Sequence, residues 1–166
     1  MTASPGASRR SEADAAEFTA SPQLARALQQ ILVDLVELHL QGKQAHWNLV
    51  GRNFRDLHLQ LDEIVDEARE SADAIAERMR ALAAWPDGRS DTVAASTTLP
   101  AFPEGEVGVK AVVDLVTARL RAAADTARAH HDQVDSEDPS TADLLHGIII
   151  SLEKYAWMVS AENRSV

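Results

Sequence analysis

A stripe of acidic side chains headed by a histidine marks one predicted helix. The spacings along it are four, four, four, three and four residues, so all six side chains share one face: His58, Asp62, Asp66, Glu70, Asp73 and Glu77. Like charges one turn apart repel by roughly 0.2–0.5 kcal/mol per pair. Because a bound cation would offset that repulsion, we interpret the stripe as a candidate metal site.

A second histidine should lie beside the first. The turn at Val50 to Arg52 is short, which places His46, near the end of one helix, level with His58, near the start of the next. Each histidine alone is more often structural than a ligand, but Asp62 one turn after His58 favours a metal. Imidazole with carboxylates suits iron or zinc. Since only neutral imidazole binds metal, we expect occupancy to fall in acid.

The two ends of the stripe cannot serve one metal within one subunit. Asp73 and Glu77 lie 15 residues beyond His58 and Asp62, which is about 22 Å along a helix. A second copy of the helix, antiparallel across a two-fold axis near Asp66 to Ala68, would bring one pair against the other. The spacing therefore predicts two identical sites at a dimer interface. Di-iron proteins that bind their metals inside a four-helix bundle use Glu-x-x-His motifs. This chain has none, which argues against a di-iron centre of that kind.

Four long amphipathic segments are predicted to position these residues. Ser21 and Pro22 indicate the N-cap and first position of the first helix. Gly51 is expected to end it, and Asn53 to cap the second. Asp138-Pro139, or Ser140 just after it, is expected to cap the fourth helix. Apolar residues recur at helical spacing in all four, including Leu24, Leu28, Ile31, Leu35, Leu38, Leu57, Leu61, Ile64, Val112, Val116, Leu120, Leu145, Leu152 and Val159.

A long connection separates the second and third helices. It runs from Trp85 to Gly108 with three prolines, and Asp91 to Ala95 is expected to form a short helix within it. A connection this long can run back along the bundle, so that the third helix points the same way as the second. We therefore predict an all-α, ferritin-like four-helix bundle with a long crossover, the alternative being an ordinary up-down bundle.

Composition narrows the function classes. The chain of 166 residues has no cysteine, which excludes disulfides and thiolate metal sites. The net charge of −10 argues against nucleic-acid binding by the folded body. Without an apolar run of about 20 residues or a signal sequence, we expect a cytoplasmic protein. We divide the chain into a flexible tail (1–20), the bundle (21–163) and a short end (164–166).

Three motifs together resemble one family. Lys43-x-x-His46-Trp47-Asn48, His58-x-x-x-Asp62 and Asp73-x-x-x-Glu77-Arg78 are similar to the signature of the Dps family, the DNA-protecting mini-ferritins of bacteria. The resemblance extends from the first helix through Trp157. It implies a dodecameric hollow shell with ferroxidase sites across its dimer interfaces, hydrogen peroxide as the favoured oxidant of Fe²⁺, and a ferric mineral inside.

The resemblance also implies roles for individual residues. His46 and His58 would bind iron from one subunit, and Asp73 and Glu77 from its partner, with zinc as a substitute. Asp62 would be a further ligand or a hydrogen-bond acceptor behind the ligands. Trp47 would lie beside the iron as a sink for oxidising equivalents, or else be a packed interface residue.

A second acidic region lies between Arg128 and Lys154, where there is no lysine or arginine. A solvated helix end is the simplest interpretation. In a closed shell, an acidic ring on a three-fold axis would attract cations, and Asp143 matches the family's pore position, with Asp138 as a substitute for its neighbour. His130, His131 and His146 are candidates for additional ligands, but we favour surface or packing roles for them, and a structural role for His39.

The function predicted from the sequence is that of an iron-oxidising, iron-storing mini-ferritin that limits oxidative damage. The alternative is a nucleoid-associated protein that coats DNA, with metal binding secondary. The chain has only three lysines, whereas DNA-binding members of the family have a lysine-rich tail, so the alternative ranks lower. A purely structural bundle would leave the acidic stripe unexplained.

Overall fold

The computed structural model describes residues 18–164 and is almost entirely helical. Four long helices form the bundle, a short fifth helix lies in the crossover, and two strands of two residues each pair beside the first interhelical turn. The elements are α1 (Pro22–Asn48), β1 (Leu49–Val50), α2 (Phe54–Ala81), α3 (Ser90–Ser96), β2 (Val107–Gly108), α4 (Val109–Glu137) and α5 (Pro139–Ala161). This confirms the predicted four-helix bundle and the short extra helix.

The start of α1 is built as predicted. The Ser21 hydroxyl accepts a hydrogen bond from the Leu24 amide at 3.1 Å, and proline follows in the first turn. Ser21 also donates from its amide and its hydroxyl to the two carboxylate oxygens of Glu137, both at 2.7 Å. One residue thus caps α1 and ties it to the end of α4. Residues 1–17 of the predicted tail lie outside the described residues, whereas the Ala20 amide is bonded to the Leu82 carbonyl at 2.9 Å.

The predicted end of α1 is wrong, whereas Asn53 is the N-cap residue of α2 as predicted but makes no side-chain capping bond. α1 ends at Asn48, three residues before Gly51, because Leu49 and Val50 leave the helix to pair with β2. Gly51 instead makes the turn, with φ at 126°. Asn53 precedes α2 in a left-handed conformation and makes no side-chain cap. The side-chain amide of Asn53 donates to the Glu162 carboxylate at 2.6 Å, so a long-range contact replaces the expected capping bond.

The strand pair fixes the direction of α4. β1 follows α1 directly, β2 leads directly into α4, and the two strands are parallel. α4 therefore begins at the end of the bundle where α1 finishes and α2 starts, and it runs in the same direction as α2. This is the arrangement that the long crossover predicted, and it distinguishes the fold from an up-down bundle.

The core lies along the predicted seams of all four long helices. Its largest side chains are almost completely buried, among them Leu24, Leu28, Ile31, Leu35, Leu38, Leu57, Leu61, Ile64, Ile75 and Leu120. At Gly42, α1 approaches α2 so closely that an added Cβ would stand 2.8 Å from a methyl group of Val65. The small residue thus sets the separation of the two helices that carry the acidic stripe and its histidines.

Polar side chains anchor the crossover to the bundle. Asp34 is 1% exposed, and its carboxylate accepts hydrogen bonds from the amide and hydroxyl of Thr98 at 2.7 and 2.6 Å and from the hydroxyls of Thr97 and Thr126 at 3.0 and 2.8 Å. These bonds satisfy a buried carboxylate that would otherwise be costly. They join α1, the segment after α3, and α4 at one point.

Arg119 makes a second anchor, from α4. Its guanidinium is buried and donates to the side chain of Gln41 at 2.7 Å and to the carbonyls of Pro100 and Ala101 at 3.2 and 2.8 Å. Burial lowers its pKa. Because the carbonyls it binds belong to a proline-containing segment without regular structure, Arg119 replaces the backbone partners that this segment lacks.

We expect Arg119→Met to destabilise the subunit by about 3 kcal/mol, because it leaves the buried oxygen atoms that Arg119 binds without a hydrogen-bond donor. The free energy of unfolding in urea measures this. Arg121→Met is the matched control, since Arg121 lies on the same helix but is exposed, and it should change the unfolding free energy by less than about 0.5 kcal/mol. Equal effects would show that the contacts of Arg119 contribute nothing specific.

Among residues 18–164, no helix is long and apolar enough to cross a membrane.

Candidate metal centre

His46 and His58 meet where α1 and α2 join. Their imidazole rings stack with centroids 3.6 Å apart and planes inclined by 23°. Each ring uses Nδ1 to bind the main-chain carbonyl of the other residue, at 2.9 Å from His46 to His58 and 3.0 Å in reverse. The prediction that the two histidines lie level is thus confirmed.

This reciprocal bonding determines the state of each ring. A carbonyl oxygen only accepts, so the proton of a neutral imidazole must be on Nδ1, which leaves a lone pair on Nε2. An imidazole held through Nδ1 by a main-chain carbonyl, with Nε2 unprotonated, is the usual state of a metal-binding histidine. The pair therefore presents two donor atoms prepared for a cation.

Asp62 lies behind the histidines and is paired with Lys43. The Lys43 ammonium is 2.5 Å from the Asp62 carboxylate, which is also 3.3 Å from Nδ1 of His46. The hydrogen bond from Lys43 is the largest influence on the Asp62 pKa, which is lowered. The carboxylate thus faces the protonated side of the His46 ring, which favours the positioning role over the ligand role.

Asp73 and Glu77 are both exposed farther along α2. Within the described chain, neither side chain makes a hydrogen bond or ion pair. Nor does any group of three or more His, Asp or Glu side chains in residues 18–164 come together to hold a metal. One subunit therefore presents a pair of imidazoles and, separately, a pair of unneutralised carboxylates, each short of a full ligand set.

Large apolar side chains are exposed on the same two helices. Trp47 is 69% exposed directly beside His46, and the others are Leu40, Phe54 and Leu59, each between 43% and 49% exposed. Leu40 and Trp47 are seven residues apart on α1, so they share a face. Exposed apolar side chains that share a face are typical of an interaction surface.

The expected pore residues differ in their surroundings. Asp143 is exposed on α5, as a pore position would require. Asp138 is only 8% exposed; its carboxylate accepts from the Arg78 guanidinium at 2.6 Å and from the Thr141 hydroxyl. The structure therefore contradicts Asp138 as a free pore carboxylate. It stabilises the start of α5 and fixes Arg78, the residue that follows Glu77.

The Asp138 pair predicts a specific acid sensitivity. Burial works to raise the pKa of Asp138, but hydrogen bonds from Thr141 and Arg78 outweigh it and lower the pKa below the ordinary 3.8. Its stabilisation is therefore complete above pH 3.8 and is lost as the pH falls through the lowered pKa. In urea unfolding, the Asp138→Asn variant should have a lower free energy of unfolding than wild type at pH 7. The difference between the two free energies should narrow below pH 4. A gap independent of pH would contradict this.

A further histidine pair joins α4 and α5, where the ring centroids of His131 and His146 are 4.5 Å apart. The sequence makes both residues candidate ligands but does not predict that they meet. The remaining histidines, His39 and His130, are half-buried. Burial is the main cause of a lowered pKa at His39, which agrees with the predicted packing role.

Comparison with known proteins identifies the family. The model of the ferritin-like domain matches residues 25–164. DNA protection during starvation protein 2 of Deinococcus radiodurans is 35% identical over 82% of the chain, and the Agrobacterium fabrum protein of the same general name is 32% identical over 81%. The chain belongs to the Dps family of ferritin-like proteins.

Solved Dps structures agree with this membership. The Dps92 structure from Deinococcus radiodurans superposes with a TM-score of 0.83 at 33% identity, covering 87% of both chains, and Mycobacterium smegmatis Dps with 0.84 at 28%, covering 90% of both. The chain covers 83% of the Agrobacterium relative but only 56% of the Deinococcus protein 2. Relatives at this similarity also include the fine tangled pili major subunit of Haemophilus ducreyi, 36% identical.

Proposed function

We propose that this Dps-family protein is a ferroxidase and an iron store. The observation that carries the proposal is the reciprocal bonding of His46 and His58, which leaves both Nε2 atoms as metal donors. Imidazole and carboxylate donors together suit iron in both oxidation states, and the family membership makes Fe²⁺ the expected substrate.

Each site is completed by a second subunit. Within one chain the histidines and the Asp73/Glu77 carboxylates are separated by 15 residues, which is about four turns of helix or about 22 Å, so they cannot bind the same ion. An antiparallel copy of α2 across a two-fold axis near Asp66 to Ala68 would bring them together twice per dimer. The exposed apolar side chains of α1 and α2 support contact at this face.

The chemistry requires an external oxidant. Two ferrous ions each give one electron to hydrogen peroxide, its O–O bond breaks, and with two protons it leaves as two waters. The protein's own residues bind Fe²⁺ and favour Fe³⁺ through the negative charge of Asp73 and Glu77. Lys43 and Asp62 hold the His46 ring. Removing Fe²⁺ and peroxide together would limit oxidative damage in the cytoplasm.

Storage requires a closed shell, for which we propose twelve subunits. Asp143, exposed on α5, would attract Fe²⁺ to a three-fold pore, while Asp138 is left out because it is buried and paired. Exposed Trp47 would lie at the dimer contact beside the iron, either as packing or as a sink for oxidising equivalents. Zn²⁺ would compete for the same imidazoles.

Iron loading tests this function. Purified protein given Fe²⁺ and stoichiometric peroxide should form a soluble ferric mineral with many iron atoms per chain, co-eluting with an oligomer on size exclusion. Precipitation of ferric hydroxide at the rate seen without protein would contradict the proposal.

DNA binding is the second candidate, because relatives are named as DNA protection proteins. The net charge of −10 opposes it for the folded body. A gel shift at physiological salt, with the full chain and with residues 1–20 removed, separates the two candidates. Retardation that requires residues 1–20 would support DNA binding. If neither form is retarded, DNA binding is excluded as a function.

A further inference from the structure

A second pair of histidines bridges α4 and α5. The Nε2 atoms of His131 and His146 are 2.6 Å apart, with the rings inclined by 27°. Two nitrogens this close cannot both carry a proton toward each other, and two facing lone pairs would repel. Either a single proton between them, donated by one ring to the lone pair of the other, or a metal ion bound by both lone pairs resolves the contact.

Neighbouring carboxylates favour the metal-binding form of both rings. Nδ1 of His131 is 3.3 Å from the Asp132 carboxylate, and Nδ1 of His146 is 3.6 Å from that of Asp143. A carboxylate near Nδ1 favours the proton there and leaves the lone pair of Nε2 free for a metal, as it does for zinc-binding histidines. Both lone pairs are then directed into the gap between the rings.

The surroundings allow a cation to enter. The pair lies in an open groove whose other walls are Arg128, Asp132, Ile149 and Ile150. The positive charge of Arg128 is offset by Glu153 at 2.6 Å. The His131 side chain is 22% exposed and that of His146 is 54% exposed, so His146 in particular has room to adjust.

We propose that His131 and His146 bind a divalent transition-metal ion of the zinc class. Zn–N bonds of about 2.0–2.1 Å at a tetrahedral angle place the two nitrogens about 3.3 Å apart, so the rings need to separate by less than about 1 Å. No third His, Asp or Glu converges on the pair within residues 18–164, so water fills the remaining positions. The site uses none of the proposed ferroxidase residues and does not depend on that function.

Zinc titration calorimetry at pH 7.5 tests the site. The starting protein is His46→Ala/His58→Ala, which removes the imidazoles of the other pair. Adding His131→Ala/His146→Ala should abolish one zinc equivalent per chain. His130→Ala, which removes the adjacent histidine of α4, is the control and should retain that equivalent. Size exclusion and helical circular dichroism establish that each variant is assembled.

A milder variant covers the case in which the double alanine change perturbs folding. His146→Gln alters one exposed side chain and should weaken zinc binding at least about tenfold, since even loss of a residue that only orients a ligand costs about 10- to 100-fold. Zinc binding of unchanged stoichiometry and affinity in this variant and in the double variant would overturn the proposal. That result would assign the close contact to a shared proton instead.

Discussion

Replacing His46 and His58 together by alanine should slow peroxide-driven oxidation of Fe²⁺ at least about 100-fold, since even residues that only orient metal ligands contribute 10- to 100-fold. Both Nε2 donors are lost, and the Asp62–Lys43 pair no longer has a ring to position. The rate is measured from the appearance of ferric absorbance after rapid mixing under anaerobic conditions.

The fold should tolerate this change, because within residues 18–164 the polar contacts of the two rings are to each other's main chain and, for His46, to Asp62. Oligomer size on size exclusion establishes that. His130→Ala is the control for loss of a histidine elsewhere and should oxidise iron at the wild-type rate. If the double variant kept the wild-type rate with an intact oligomer, the histidine pair would not be part of the site.

Removing the carboxylates Asp73 and Glu77 should reduce the rate as strongly, although they lie about 22 Å from the histidines along α2. Neither side chain has a partner within the described chain, so a role confined to one folded subunit would predict little effect. The control is Asp56→Ala/Glu63→Ala, which removes the same charge from exposed positions on the same helix. Equal rates for this control and the Asp73→Ala/Glu77→Ala variant would contradict a ligand role.

Local sequence patterns predicted the helices well because burial repeats along them. The positions predicted to form the seams of α1 and α2, such as Leu24, Leu38, Leu57 and Ile75, are buried in the core. The length of the crossover predicted the direction of α4. The meeting of His46 and His58 followed from helix geometry, since only a short turn separates them.

Long-range polar contacts were missed because no local pattern encodes a partner. Asn53 has a local capping signal, yet its amide binds Glu162, and Asp138 is held by Arg78 of α2. A signal did exist for the two crossover anchors: Asp34 and Arg119 fall on the apolar stripes of their helices, where a charged residue requires specific partners. The His131–His146 pair depends on the register of α5 against α4, which sequence periodicity leaves undetermined.

Mixing two inactive variants tests most directly whether each site is shared between subunits. His46→Ala/His58→Ala and Asp73→Ala/Glu77→Ala chains are unfolded together at equal concentration and reassembled. In a mixed dimer one site receives intact histidines from one chain and intact carboxylates from the other, while its second site lacks both. With random pairing, half of the dimers are mixed and half of their sites are intact, so about a quarter of the wild-type rate should return. If the mixture stays as inactive as its components while forming oligomers of normal size, the ligands do not come from two subunits.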